Sequence, residues 1–259
     1  MVAATFLLGL VVGSFLNVVI LRGAKGEKFS GRSRCESCGR QLTTLELIPV
    51  LSFLIQKARC RSCGTVLSWQ YPLVELGTGI LYAAGAWYFF GSQPILFFLL
   101  AFAGIAAGVV ILVSDFRYQI IPNGAVFILL LVGVAALALR LFQTKSNTSV
   151  PDLVWNMSLD VETALLLAFF LASLWFFSKG AWMGFGDAKL IFATSLIVGF
   201  PASIAAFLFS FWLGGIVGIV LLLSRRKTLK SHIPFGPFIL LGTVAAYFFA
   251  EDLWSIIGL

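Results

Sequence analysis

Long apolar runs, interrupted by short polar stretches, dominate this chain throughout its length. Uncharged runs lie near residues 2–21, 71–91, 94–114, 123–142, 159–178, 188–200, 202–223 and 235–257. Roughly 20 apolar residues cross about 30 Å of hydrocarbon as a helix. The pattern therefore predicts an all-α polytopic membrane protein with about eight transmembrane helices. The run at 188–200 is short for a span and predicts a tilted, broken or partly re-entrant helix, which keeps a seven-span reading open. One sizeable polar region remains, at 22–70, so the chain divides into a first helix at 1–21, a loop region at 22–70 and a helical bundle at 71–259. Within the loop, LELIPVLSFLIQ at 45–56 is apolar but too short to span, and is expected to lie along the interface or dip into the bundle.

Composition agrees with this frame. With 60% hydrophobic and 11% charged residues, the chain is not an ordinary soluble domain. Charge then orients it, because Lys and Arg are retained on the cytoplasmic side of a bilayer. All basic residues except Arg140 and Lys145 fall in the loops at 22–70, 115–122, 179–189 and 224–234. Asp152, Asp160, Glu162, Glu251 and Asp252 collect on the other face, which predicts extracytoplasmic termini. The net charge of +7 reads as topology and attraction to anionic membrane lipids, not as a nucleic-acid footprint. No basic side chain precedes Arg22, so 1–21 reads as a retained span and not a cleaved signal. Ser14 and Asn17 inside it predict a face packed on other helices or lining a polar cavity.

The four cysteines form Cys35-x-x-Cys38 and Cys60-x-x-Cys63, each pair followed directly by glycine, Gly39 and Gly64. Such turns bring two thiolates to one side, and two turns make a tetrahedral zinc site. Two disulfides are the alternative, disfavoured in a reducing cytoplasm. A shell of four cysteines has no open position, so the metal is expected to be structural.

Asp115, in SDFRYQIIPN, and Asp187, in GFGDAKL, each stand at the lip of an apolar run. Intramembrane carboxylates are expensive to ionise and are kept mainly where they face protein or water and act chemically. The predicted topology ends one span at Asp115 and begins another just after Asp187 at the same cytoplasmic depth, so the two can meet. Gly184 and Gly186 leave room for close backbone approach beside Asp187. Two adjacent carboxylates share a proton, one activating water and the other acting as acid, which supports peptide hydrolysis without a covalent intermediate. Read singly, each Asp instead snorkels or pairs with a neighbour such as Arg117 or Lys189.

These residues resemble the bacterial type IV prepilin leader peptidases, the prepilin peptidase/N-methyltransferases. The resemblance rests on GSFLNVVILR at 13–22, the paired Cys-x-x-Cys loop, LIPVLSF at 47–53, YPLVEL at 71–76, Asp115 with IIPN, GFGDAKL at 184–190 and IPFGPF at 233–238. It implies a GxGD aspartyl protease of the bacterial inner membrane, with its active site facing the cytoplasm and Asp115 and Asp187 as catalytic residues. The implied substrates are type IV prepilins or type II secretion pseudopilins, cleaved to remove a basic leader. It also implies methylation of the new N-terminal amine with S-adenosylmethionine, which retention of the full cysteine loop favours. Many members carry a second acid two residues after the first motif Asp, where this chain has Arg117. A peptidase without methylation, and a transporter using the two acids as a proton relay, are the alternative readings.

Further positions complete the reading. Glu75, one turn inside the second span, is expected to pair with a loop arginine or to contact a cationic substrate or cofactor. Glu27, Glu36 and Glu46 are the other candidate contacts for a basic leader. Lys189 is placed to act on Asp187 or on a lipid phosphate, and His232 on the surface. Trp69, Tyr71, Trp155 and Trp254 read as an interfacial aromatic belt.

Overall fold

The structure, a computed structural model, describes residues 1–89, 95–144, 150–224 and 233–257, with side chains at 1–89, 95–140, 155–224 and 233–249. Lys145, Arg225, Arg226, Lys227, Lys230 and His232 lie outside the described residues, as do the side chains of Asp152, Glu251, Asp252 and Trp254. The helices are α1 (Val2–Ala24), α2 (Leu51–Ile55), α3 (Gln70–Phe89), α4 (Ile95–Tyr118), α5 (Asn123–Thr144), α6 (Val150–Ser178), α7 (Phe185–Val198), α8 (Ala202–Leu223) and α9 (Gly236–Ile257). The only pairing of extended backbone among the described residues is two isolated bridges, Arg34 with Gln41 and Arg59 with Val66.

Every apolar run has become a helix. Among the described residues, α1, α4, α5, α6 and α8 are long and apolar enough to cross a membrane. Their outward faces carry bulky exposed groups such as Val11, Phe15, Phe169, Phe176, Phe177 and Ile219, while Asn17, Thr78, Ser195, Ser203 and Ser210 are buried. Apolar outside and small polar inside is the distribution a bilayer imposes, because hydrocarbon solvates the former and leaves the latter needing partners within the protein.

The chain forms two compact units, Met1–Val113 and Ser114–Leu259. In the first, α1 lies directly against α3. A Cβ on Gly13 would come within 2.7 Å of Glu75 Cα, so the backbones touch and only glycine fits. Asn17 uses that proximity, donating to the carbonyls of Tyr71 (3.1 Å) and Gly13 (3.4 Å) and accepting from Gln70 (3.3 Å). Tyr71 helps line a cavity beside this seam.

In the second unit α7 is central, packed by α5, α6, α8 and α9. Its 14 residues extend only about 21 Å, short of a bilayer's hydrocarbon thickness. It is one unbroken helix, so of the tilted, broken and re-entrant readings the broken one is excluded. Being enclosed by neighbours, with eight of its residues buried, it need not meet lipid along its whole length. Arg140 closes its C-terminal end by donating to the carbonyls of Leu196 (2.7 Å) and Ile197 (2.9 Å) and pairing with Asp160 at 3.3 Å. Asp160 in turn accepts the Phe200 N–H at 2.6 Å. The carbonyls that end an α-helix without partners are thus satisfied by a guanidinium, whose charge also suits the negative end of the dipole.

Candidate active site and metal centre

Asp115 and Asp187 both belong to the second unit and are 5% and 6% exposed, so each carboxylate is nearly closed off from solvent. Asp115 does not end its helix, as the hydropathy pattern suggested. α4 runs on to Tyr118, leaving Asp115 in its last turn. One carboxylate oxygen accepts the backbone N–H of Gly236 at 2.9 Å. Asp187 sits in the first turn of α7, where its Oδ2 accepts the N–H of Gly184 at 3.1 Å, the carboxylate half of a capping interaction at the positive end of a helix. Its other oxygen, Oδ1, is buried with no hydrogen-bond partner.

The two carboxylates are close enough for direct charge interaction. Ile121 brings their supports together. A Cβ on Gly186 would lie 3.0 Å from the Ile121 side chain, and one on Gly236 would lie 3.3 Å from it, so both glycines pack against one residue. The sequence pattern assigns FGPF only the start of the last span. The tertiary contact adds Gly236 as a direct partner of Asp115, and the IPFGPF motif at 233–238 is the local signal of it.

Neither aspartate forms an ion pair among the described residues. Lys189 donates to Asn123 Oδ1 and lies 5.4 Å over the Phe185 ring, so it ties the start of α7 to the start of α5 and does not neutralise Asp187. Arg117 lies 5.7 Å over the Tyr118 ring.

In the first unit the four cysteines converge. Their sulfurs lie within 4.8 Å of one another, a grouping that could hold a metal ion. Both turns are built alike. Cys35 N–H donates to Arg40 O at 2.9 Å, Cys60 N–H to Thr65 O at 2.9 Å, and Gly39 and Gly64 return N–H bonds to Cys35 and Cys60. Gly39 and Gly64 have φ of 71° and 69°, the left-handed conformation that glycine adopts without strain. The thiols are free cysteines, not disulfides. A hydrogen bond with the Thr65 hydroxyl, helped by its backbone N–H, pushes the Cys63 thiol down to about 6. At Cys38 the Arg40 N–H favours thiolate, but burial and the Cys35 and Cys63 sulfurs outweigh it and push this thiol up to about 11. Sulfurs crowded in this way compete for protons until a cation neutralises them, so the donor set fits a thiophilic metal.

Glu75 is buried at the α1–α3 seam, and its partner is not an arginine. Its Oε2 accepts the Val50 backbone N–H at 2.8 Å, with Ser14 as a second hydrogen-bond partner. Val50 has φ 62°, a strained value for a β-branched residue. The loop acids are all engaged elsewhere: Glu36 with Lys25 at 2.8 Å, Glu27 with Arg34 at 3.6 Å, and Glu46 with Arg40. The Thr43 N–H, its hydroxyl and Arg40 hold the Glu46 carboxyl below the usual range. The 45–56 stretch forms a 3-10 turn at Thr44–Leu47 and the short helix α2, which buries Phe53 and exposes Leu51, Leu54 and Ile55. That division suits a segment lying along a membrane interface.

Comparison with known proteins bears on the chain's family. Residues 7–89 match the bacterial peptidase A24 N-terminal domain, and residues 102–219 match the type IV leader peptidase family. A prepilin leader peptidase/N-methyltransferase of Bacillus subtilis is 34% identical over 98% of this chain and 97% of its own length. Proteins of the same name from Stutzerimonas stutzeri and Pseudomonas aeruginosa are each 30% identical over 97% of this chain, covering 92% and 91% of their lengths. No solved structure matches the chain significantly. With near-complete coverage by such relatives and both halves matched in order, the chain belongs to the type IV leader peptidase family.

Proposed function

We propose that this chain is a membrane aspartyl endopeptidase that removes the leader from type IV prepilins or type II secretion pseudopilins, and then N-methylates the new N-terminus. The observation that carries the reading is the meeting of Asp115 and Asp187 in one buried site, without a basic partner, although they are remote in sequence. Two such carboxylates hold one proton between them. The ionised partner takes a proton from water, which attacks the scissile carbonyl while the protonated partner donates to the carbonyl oxygen. The same pair then hands a proton to the departing amine as the carbon–nitrogen bond breaks. Gly236 orients Asp115, and Gly184 orients Asp187. Because the pair titrates as a unit, acid and base roles belong to both. Asp187 Oδ1, buried and unpartnered, offers the lone pair that a shared proton or a catalytic water needs.

Cys35, Cys38, Cys60 and Cys63 hold a structural zinc ion, which organises a loop with too little apolar surface to fold on its own. S-Adenosylmethionine supplies the methyl group for the second activity. The protein works in the bacterial inner membrane among its lipids, with the basic loops and the aspartate pair toward the cytoplasm. A proton-relay transporter is not favoured, given the family.

Expressing the chain with a prepilin or pseudopilin tests the reading. Leader removal by the wild type, and none by Asp115→Asn or Asp187→Asn, is expected. Normal cleavage by either variant refutes the protease assignment, and the mass of the mature N-terminus reads methylation separately.

A further inference from the structure

The first unit contains a cavity of about 920 Å³ between the cysteine loop, α1 and α3, within the size range of sites for cofactor-sized ligands. Four carboxylates line it: Glu27, Glu36, Glu46 and Glu75. Three are paired with basic side chains, and Glu75, 7% exposed, has only the Val50 N–H and Ser14. A buried carboxylate without a counter-ion is costly, and a cationic ligand in the adjoining space offsets that cost. Val50 holds a strained backbone to deliver its N–H to one oxygen of this group, and such strain persists where the surroundings fix a functional geometry. Phe53 and Tyr71 line the same space and offer ring faces for a flat heterocycle.

The geometry points to this cavity as the seat of the methyl donor, S-adenosylmethionine, with Glu75 as the counter-ion of its cationic methionine end. The inference rests on the methyltransferase reading above. S-Adenosylmethionine carries a sulfonium and an ammonium against one carboxylate, and its net positive charge suits Glu75, the lining carboxylate that no basic side chain pairs. In the transfer, the amine lone pair forms the bond to the methyl carbon while the sulfur–carbon electrons return to sulfur. The product is neutral S-adenosylhomocysteine and a methylated amine that releases one proton. Glu75 takes no part in bond making; it holds the donor.

The test is equilibrium binding of radiolabelled S-adenosylmethionine to the full chain in lipid nanodiscs. Glu75→Gln keeps an acceptor for the Val50 N–H and removes only the charge. Binding at least tenfold weaker in Glu75→Gln, with Glu162→Gln, an exposed acid of the second unit, within twofold of wild type, is expected. Glu75→Gln binding within twofold of wild type overturns the inference and leaves the methyltransferase reading standing. So does a change confined to the KM for a basic-leader substrate, which would make Glu75 a leader contact. A wild-type chain that neither binds the donor nor methylates its product overturns both. Ultraviolet cross-linking of the labelled donor to the wild type needs no variant: label on the peptide bearing Tyr71 and Glu75 is expected, and label confined to Ser114–Leu259 refutes the assignment.

Discussion

Gly236 donates its backbone N–H to Asp115 at 2.9 Å across 121 residues of sequence, and a methyl group on Gly236 would fall 2.8 Å from that same carboxylate oxygen. The start of α9 is therefore built around the carboxylate. Gly236→Ala must push the carboxylate off this donor, and the added methyl also meets Ile121 at 3.3 Å. Leader cleavage is expected to fall at least tenfold, while helix content and the thermal midpoint hold, since alanine suits a helix better than glycine does. Cleavage kinetics beside a melting curve in detergent check this, and undiminished kcat/KM refutes it.

Asp187→Asn separates function from stability. The amide oxygen still caps the Gly184 N–H, and the substitution removes a charge whose second oxygen has no partner. Active sites commonly hold such locally unfavourable groups, so the variant is expected to be inactive yet to melt no lower than wild type. A clearly lower melting temperature would mean that Asp187 is primarily structural.

Arg140 anchors the end of α7 remote from Asp187. Arg140→Leu leaves Asp160 and the Leu196 and Ile197 carbonyls without their partner. Discounted for the partial exposure of Arg140, the expected loss is about 2 kcal/mol. Arg140→Leu with Asp160→Leu should recover part of it, because the stranded charge goes too. Denaturant titration reads the stability, and hydrogen exchange at residues 195–198 locates the loosening.

The cysteine cluster predicts a pH signature. A thiol pushed down to about 6 contributes stability fully above the ordinary thiol value, and that contribution is lost as pH falls through about 6. Thiolates are the ligating form, so metal affinity weakens on acidification and falls more steeply below about 6, where protons also compete at Cys63. Chelator competition across pH measures this. Metal removal at neutral pH should expose the 33–67 loop to proteolysis while the second unit keeps its helices.

The long helices among the described residues follow the hydropathy pattern, because an uncharged run of bilayer length has few alternatives to a helix in lipid. The paired Cys-x-x-Cys turns are equally local: ligand spacing and the following glycine dictate the bend before any distant contact exists. What the pattern could not carry is which helix faces which. The short run at 188–200 gave no sign that its helix is unbroken and enclosed by four others, since enclosure is a property of the neighbours. Glu75 read as the partner of a loop arginine or of a cationic substrate or cofactor, and its backbone partner is a strained N–H at Val50, a conformation no propensity predicts. The glycine of FGPF read as the start of a helix, and only its approach to Asp115 made it part of the site. The sequence alone thus determined where the chain must be helical and how the two Cys-x-x-Cys turns bend, because these depend on solvation and local spacing. The tertiary structure decided how the two carboxylates are held and which acid stays uncompensated, because these depend on contacts between segments whose separation along the chain leaves no periodic trace.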